Sequence, residues 1–236
     1  IFNKKEDFTV LRPYSHQFMD EFNVRGAVTH YAHSTMKDID ADFMDFAGIK
    51  RIRDGVKWNV VEKTSGFDWA FTDSWLKSLK EHNIGMTTVL GFNNFRVYPM
   101  YNHYNGEMVS DSNYIPRKQK DIEFYNNYLN ETLKRYPYMD DFELWNEPNA
   151  DVGLAAADYT DLLMNTAVRI KREHRFADIS ALSLMGIREL EWTKENFTTG
   201  MYPYMTAIAF HPYVQGAADT GSQEQKYEDI YKIIVE

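Results

Sequence analysis

Six times along this 236-residue chain a short apolar run is followed by a longer stretch of helical periodicity. Nothing else in the sequence restricts the fold as much. The runs are Val24–His30, Ile49–Arg53, Ile84–Leu90, Phe142–Glu147, Ile179–Leu184 and Ala207–His211. Between them, apolar residues return every three or four positions, as one face of a helix requires. Ile39, Phe43, Phe46 and Ala47 form the first such stripe, and Trp75, Leu79 and His82 the next. Ile122, Tyr125, Leu129, Leu133 and Tyr136 follow, and then Tyr159, Leu162, Leu163, Thr166, Ala167 and Ile170. Alternating strand and helix implies parallel βαβ units. Two α/β architectures satisfy that: an open doubly wound sheet and a (β/α)8 barrel. The open nucleotide-binding sheet carries a glycine-rich phosphate loop after an early strand, and none occurs here, which favours the barrel.

No Gly/Ser- or Pro-rich linker divides the chain, so a single domain over residues 1–236 is expected. A complete barrel of this kind takes about 250 residues or more and eight βα units. The expected fold is therefore an apparently incomplete (β/α)8 TIM barrel with about six units, a piece of a longer enzyme. Composition removes other classes. Lys+Arg number 26 against 35 Asp+Glu, a formal net charge of −9, which argues against a nucleic-acid partner. No apolar run approaches the ~20 residues of a membrane span. There is no cysteine, so disulfide and thiolate chemistry are excluded.

The segment Phe142-Glu143-Leu144-Trp145-Asn146-Glu147-Pro148-Asn149 carries the chemistry. It puts a carboxylate at a strand end, with an amide before it and a proline after it. Alternation along a strand would place Glu143, Trp145 and Glu147 on one face and Asn146 on the other. For Asn146 and Glu147 to serve one ligand, the strand end must bend. Trp145 reads as a packing residue. His30 and His33 form an HxxH, but no third ligand is spaced with them, so no metal site is expected. The segment from Phe92 to Tyr104 is rich in aromatics, amides and histidine, Tyr101 among them. It could offer platforms for a sugar or simply pack on itself.

Trp145-Asn146-Glu147-Pro148-Asn149 resembles the WNEPN signature of clan A glycoside hydrolases. Arg53, Trp58, Glu62, Gly66 and Phe67-Asp68-Trp69 are similar to the second-strand region of glycoside hydrolase family 39 and its relatives, and Ala209-Phe210-His211-Pro212-Tyr213 to their sixth-strand HPY motif. The resemblance runs from about Val24 to the end. It implies a retaining O-glycosidase that needs no cofactor and acts on an oligo- or polysaccharide, which points to a secreted or periplasmic setting. It implies Glu147 as general acid/base and Asn146 on the sugar 2-hydroxyl. Arg53, His211, Tyr213, His30 and Trp58, with Tyr101 from the aromatic loop, are the further substrate contacts expected. The nucleophile, a glutamate in the family, is expected on a seventh strand beyond residue 236. The rival reading is a non-catalytic carbohydrate-binding protein on a degenerate barrel.

Overall fold

The computed structural model describes residues 25–32, 38–102, 105–151, 153–186, 190–211 and 228–233. The chain runs β1 (Arg25–Val28), α1 (Asp38–Phe46), β2 (Ile49–Lys57), α2 (Trp58–Val61), β3 (Glu62–Lys63), β4 (Gly66–Phe67), α3 (Ala70–Glu81), β5 (Gly85–Gly91), α4 (Gln119–Arg135), β6 (Asp141–Leu144), α5 (Ala156–Glu173), β7 (Asp178–Met185), α6 (Leu190–Thr198) and β8 (Ala207–His211). Six strands form one sheet in the order β1-β2-β5-β6-β7-β8, and every neighbouring pair is parallel. β3 and β4 form a separate two-stranded antiparallel hairpin. The six runs marked in the sequence are the six strands of the large sheet. β3 and β4, at two residues each, are too short to show a period in the sequence.

The sheet is curled. In a flat sheet β2 and β7, with two strands between them, would lie about 14 Å apart. Yet Arg53 Nη2 on β2 comes within 3.4 Å of Ser183 Oγ on β7. Both side chains therefore stand on one concave face, and the helices cover the convex one, as in part of a (β/α)8 barrel.

The convex side holds the core. α4 buries Ile122, Tyr125, Leu129 and Leu133, and α5 buries Tyr159, Leu162, Leu163, Thr166, Ala167 and Ile170, as their periodicity requires. α1 departs from expectation. It buries Ala41 and Met44, while Phe43 and Phe46 are 68% and 46% exposed. Its apolar residues occupy more than one stripe, and the sheet takes the narrower, smaller one.

Candidate active site

The decisive local structure is the exit from β6. Regular strand ends at Leu144. Trp145 and Glu147 then take left-handed backbone, at φ 65° and 52°. Each such non-glycine residue costs on the order of 1–3 kcal/mol and persists where its surroundings over-determine it. The surroundings are visible. Trp145 N–H donates to the Leu90 carbonyl at 3.0 Å, and Glu147 N–H donates to the Ser183 carbonyl at 3.0 Å. The Trp145 ring is fully buried, and its Nε1 donates to the Asn113 carbonyl at 3.1 Å. Gly91 makes room for the bend, since a Cβ there would stand 3.3 Å from Trp145 Cα. Pro148 opens a single 3₁₀ turn, Pro148–Ala150, where its fixed φ suits the first position. Asn149 closes the motif against β7. Its Oδ1 accepts from Met185 N–H at 2.8 Å and its Nδ2 donates to Met185 carbonyl at 3.2 Å.

β7 has its own irregularity. Leu182 and Ser183 sit at φ 70° and 36°, and the register with β8 shifts between Ala181 and Leu184. Tyr159 OH supports the bulge from behind, accepting from Leu182 N–H at 2.7 Å and donating to Leu144 carbonyl at 3.3 Å. Burial pushes the Tyr159 phenol far above its usual range, so the hydroxyl keeps its proton for this contact.

These two bends gather a polar cluster on the concave face. Glu147 Oε1 lies 2.6 Å from His211 Nδ1 at the end of β8. Arg53 Nη2 donates to Asn146 Oδ1 at 2.8 Å. Arg53 also forks onto Glu143, with Nη2 to Oε1 at 2.5 Å and Nε to Oε2 at 2.9 Å. Glu143 is only 2% exposed, and a carboxylate buried that deeply needs such partners. Ser183 Oγ also donates to Glu143 Oε1. A carboxyl and an imidazole this close share a proton, so the pair can deliver one to a bound ligand and take one back.

Beside the cluster is a cavity of about 200 Å³, lined by His30, Arg53, Lys57, Phe92 and Asn146 among others. Lys57 Nζ sits 4.3 Å above the centre of the Phe92 ring. Burial lowers the Lys57 ammonium to about 8.

The structure thus gathers Glu147, Asn146, Arg53 and His211, and puts His30 on the same cavity. Tyr213 lies outside the described residues, as does His33. Trp58, expected to touch substrate, lies in the core: it is fully buried, stacked on Tyr128 at 5.8 Å, with Nε1 donating to Glu62 Oε2 at 2.6 Å. The family-like Trp58 and Glu62 brace the hairpin, with Tyr98 OH donating to the other Glu62 oxygen at 2.5 Å. Tyr101 is half exposed and bridges to Met108, and no contact among the described residues joins it to the cluster. The amides of that loop are structural. Asn93 and Asn94 are buried, and Asn93 Nδ2 donates to the carbonyls of Asp111 and Tyr114. Glu143 and Ser183 were missed. An acidic residue between two apolar ones in a strand, Phe142 and Leu144, is the signal that could have found Glu143, because a buried carboxylate needs a charged or hydrogen-bonding partner. No group of three or more His, Asp or Glu among the described residues could hold a metal ion, and no helix among them is long and apolar enough to cross a membrane.

No family model and no curated protein matches the sequence. Solved structures do match in three dimensions. A family 39 glycoside hydrolase from Bacteroides cellulosilyticus WH2 superposes with a TM-score of 0.63 at 18% identity, over 80% of this chain and 38% of its own. The family 39 enzyme of Xanthomonas axonopodis pv. citri gives 0.62 at 17% identity, over 92% and 48%. This is the fold of family 39 glycoside hydrolases. A monomeric β-xylosidase from Caulobacter crescentus CB15 also gives 0.62, at 16% identity, over 91% of this chain and 49% of that one. The chain spans less than half the length of each of these three structures.

Proposed function

We propose that this chain is part of a retaining glycoside hydrolase, with Glu147 as the general acid/base. The observation that carries the proposal is Glu147 held 2.6 Å from an imidazole on the concave face, next to an amide fixed by Arg53. Cleavage of an acetal needs a proton on the departing oxygen, and Glu147, sharing a proton with His211, is equipped to give it. Asn146, held on Arg53, would meet the sugar 2-hydroxyl, a contact that strengthens as the oxocarbenium ion forms. Tyr213, two residues beyond His211 in the sequence, is a further expected sugar contact, and His30 would reach the sugar from the segment after β1.

Double displacement also needs a carboxylate to attack the anomeric carbon. Glu143 is unsuited to that role, since it is enclosed by Arg53 and Ser183. The attacking carboxylate is assigned to a seventh strand, continuing the sheet past β8. The substrate is an oligo- or polysaccharide or a glycoside derived from one. The domain works without a cofactor, because both proton transfer and nucleophilic attack fall to carboxyl groups.

The test is Glu147→Ala in the full-length gene product, assayed on aryl glycosides. Turnover of a poor leaving group should fall by roughly 10²–10⁴, the usual worth of a positioned general acid. In kcat/KM, which reports the first step alone, a dinitrophenyl glycoside, whose leaving group needs no proton, should lose far less. Turnover unchanged on both would refute the assignment.

A further inference from the structure

We infer that Ser183 is a positioning residue that fixes the tautomer of His211 and so keeps the shared proton available to Glu147. The inference rests on the acid/base reading of Glu147 and adds the group that governs its proton.

The hydrogens around Ser183 can be counted. A serine hydroxyl has one hydrogen to donate and lone pairs to accept with. Both Glu143 oxygens accept from Arg53, so Glu143 faces the cluster as an acceptor. The Ser183 hydrogen goes to Glu143 Oε1. Arg53 Nη2, 3.4 Å from Ser183 Oγ, has only hydrogens to offer. Toward His211 Nε2, also 3.4 Å away, the Ser183 oxygen therefore presents a lone pair. That contact is favourable only if Nε2 carries hydrogen. The opposite neutral tautomer would set two lone pairs against each other in a site where Ser183 is fully buried.

With the hydrogen on Nε2, the neutral ring turns a bare Nδ1 toward Glu147 Oε1. The hydrogen between them must then come from the carboxyl, or pass to Nδ1 and leave an ion pair on the same axis. Either way one mobile proton stays on the Nδ1–Oε1 line. When Glu147 gives that proton to a leaving oxygen, a lone pair on Nδ1 faces a fresh carboxylate. That repulsion favours taking a proton back from the water that completes the cycle. The bulge of β7 is what puts Ser183 there. Its two left-handed residues bring the hydroxyl between Glu143 and His211 while the same residue's carbonyl receives Glu147 N–H.

Long-range proton–nitrogen NMR of the His211 ring in the full chain tests the inference without any turnover. The wild type should show hydrogen on Nε2. Hydrogen on Nδ1 with a bare Nε2 would overturn it. Ser183→Ala should let the other tautomer in. In kcat/KM, which reports departure of the leaving group, Ser183→Ala should lose about tenfold or more on a phenyl glycoside, against little change on the dinitrophenyl analogue, since only the first needs a proton to depart. Equal losses on both would mean a merely structural residue and overturn the inference. If the wild type cleaves no glycoside, the reading of Glu147 fails, while the ring spectrum still decides the tautomer.

Discussion

Lys57 holds its ammonium where water is scarce. It is 6% exposed, near the mouth of the sheet, and follows Arg53 and Gly55 on the same face of β2. Burial penalises the charged form and brings its pKa to about 8. In the unfolded chain the amine keeps its proton to about 10.4. Between those values the unfolded state binds more protons, so stability rises as pH climbs through that window. Below pH 8 both states are charged and the folded state bears the whole cost. Lys57→Met should therefore stabilise the chain by about 1–2 kcal/mol at pH 7, with the advantage gone above about pH 10. Thermal melts at the two pH values read this directly. A gap of equal size at both would show that Lys57 carries no burial cost. At this scale the sequence was partly legible. Glu147, Asn146, Arg53 and His211 stand in recognisable patterns. Ser183 does not, because its meaning comes from neighbours 40 residues back and 28 ahead.

The elements show where periodicity serves and where it fails. α4 and α5 bury the stripes that their spacing marks, since a helix two or more turns long averages over single residues. The exit from β6 defeats the same reasoning. Alternation would set Glu143, Trp145 and Glu147 on one face, but the left-handed turns at Trp145 and Glu147 end the alternation at Leu144. The bend that a shared ligand requires was legible. Its agents, non-glycine residues at positive φ, were not. Asn149 shows how the bend is secured. Its two bonds to Met185 tie the turn carrying Glu147 to the strand that carries Ser183. Asn149→Ala should cost about 1 kcal/mol, the net worth of such bonds at a partly exposed site. It should also lower kcat, because the carboxyl loses its fixed distance from β7. Asn149→Asp keeps the acceptor for Met185 N–H and should fall between. Thermal melts and kcat measured together check this. A stability loss with kcat untouched would make Asn149 a fastener with no bearing on the site.

Across the whole molecule the six-unit pattern was legible because each unit repeats one physical problem, a sheet strand that needs a helix over it. The sheet nevertheless ends in two edge strands, β1 and β8, each paired on one side only among the described residues. Near the β1 edge Val28 is 63% exposed, and α1 presents Phe43 and Phe46 to solvent. Unpaired backbone beside apolar side chains is a template for another strand. A (β/α)8 barrel removes such edges by closing on itself. Expressed alone, these 236 residues should therefore associate with a second copy through the open edges, in a concentration-dependent way. Phe43→Lys with Val28→Lys should reduce the association, because charge on an edge discourages pairing. Sedimentation velocity over a hundredfold concentration range, about micromolar upward, separates the outcomes, since edge pairing of this kind is weak without a full interface. A monomer throughout would mean that the edges are protected within the chain itself. The curl that brings Arg53 to Ser183 would then be a property of the six units alone, and not of a closed barrel.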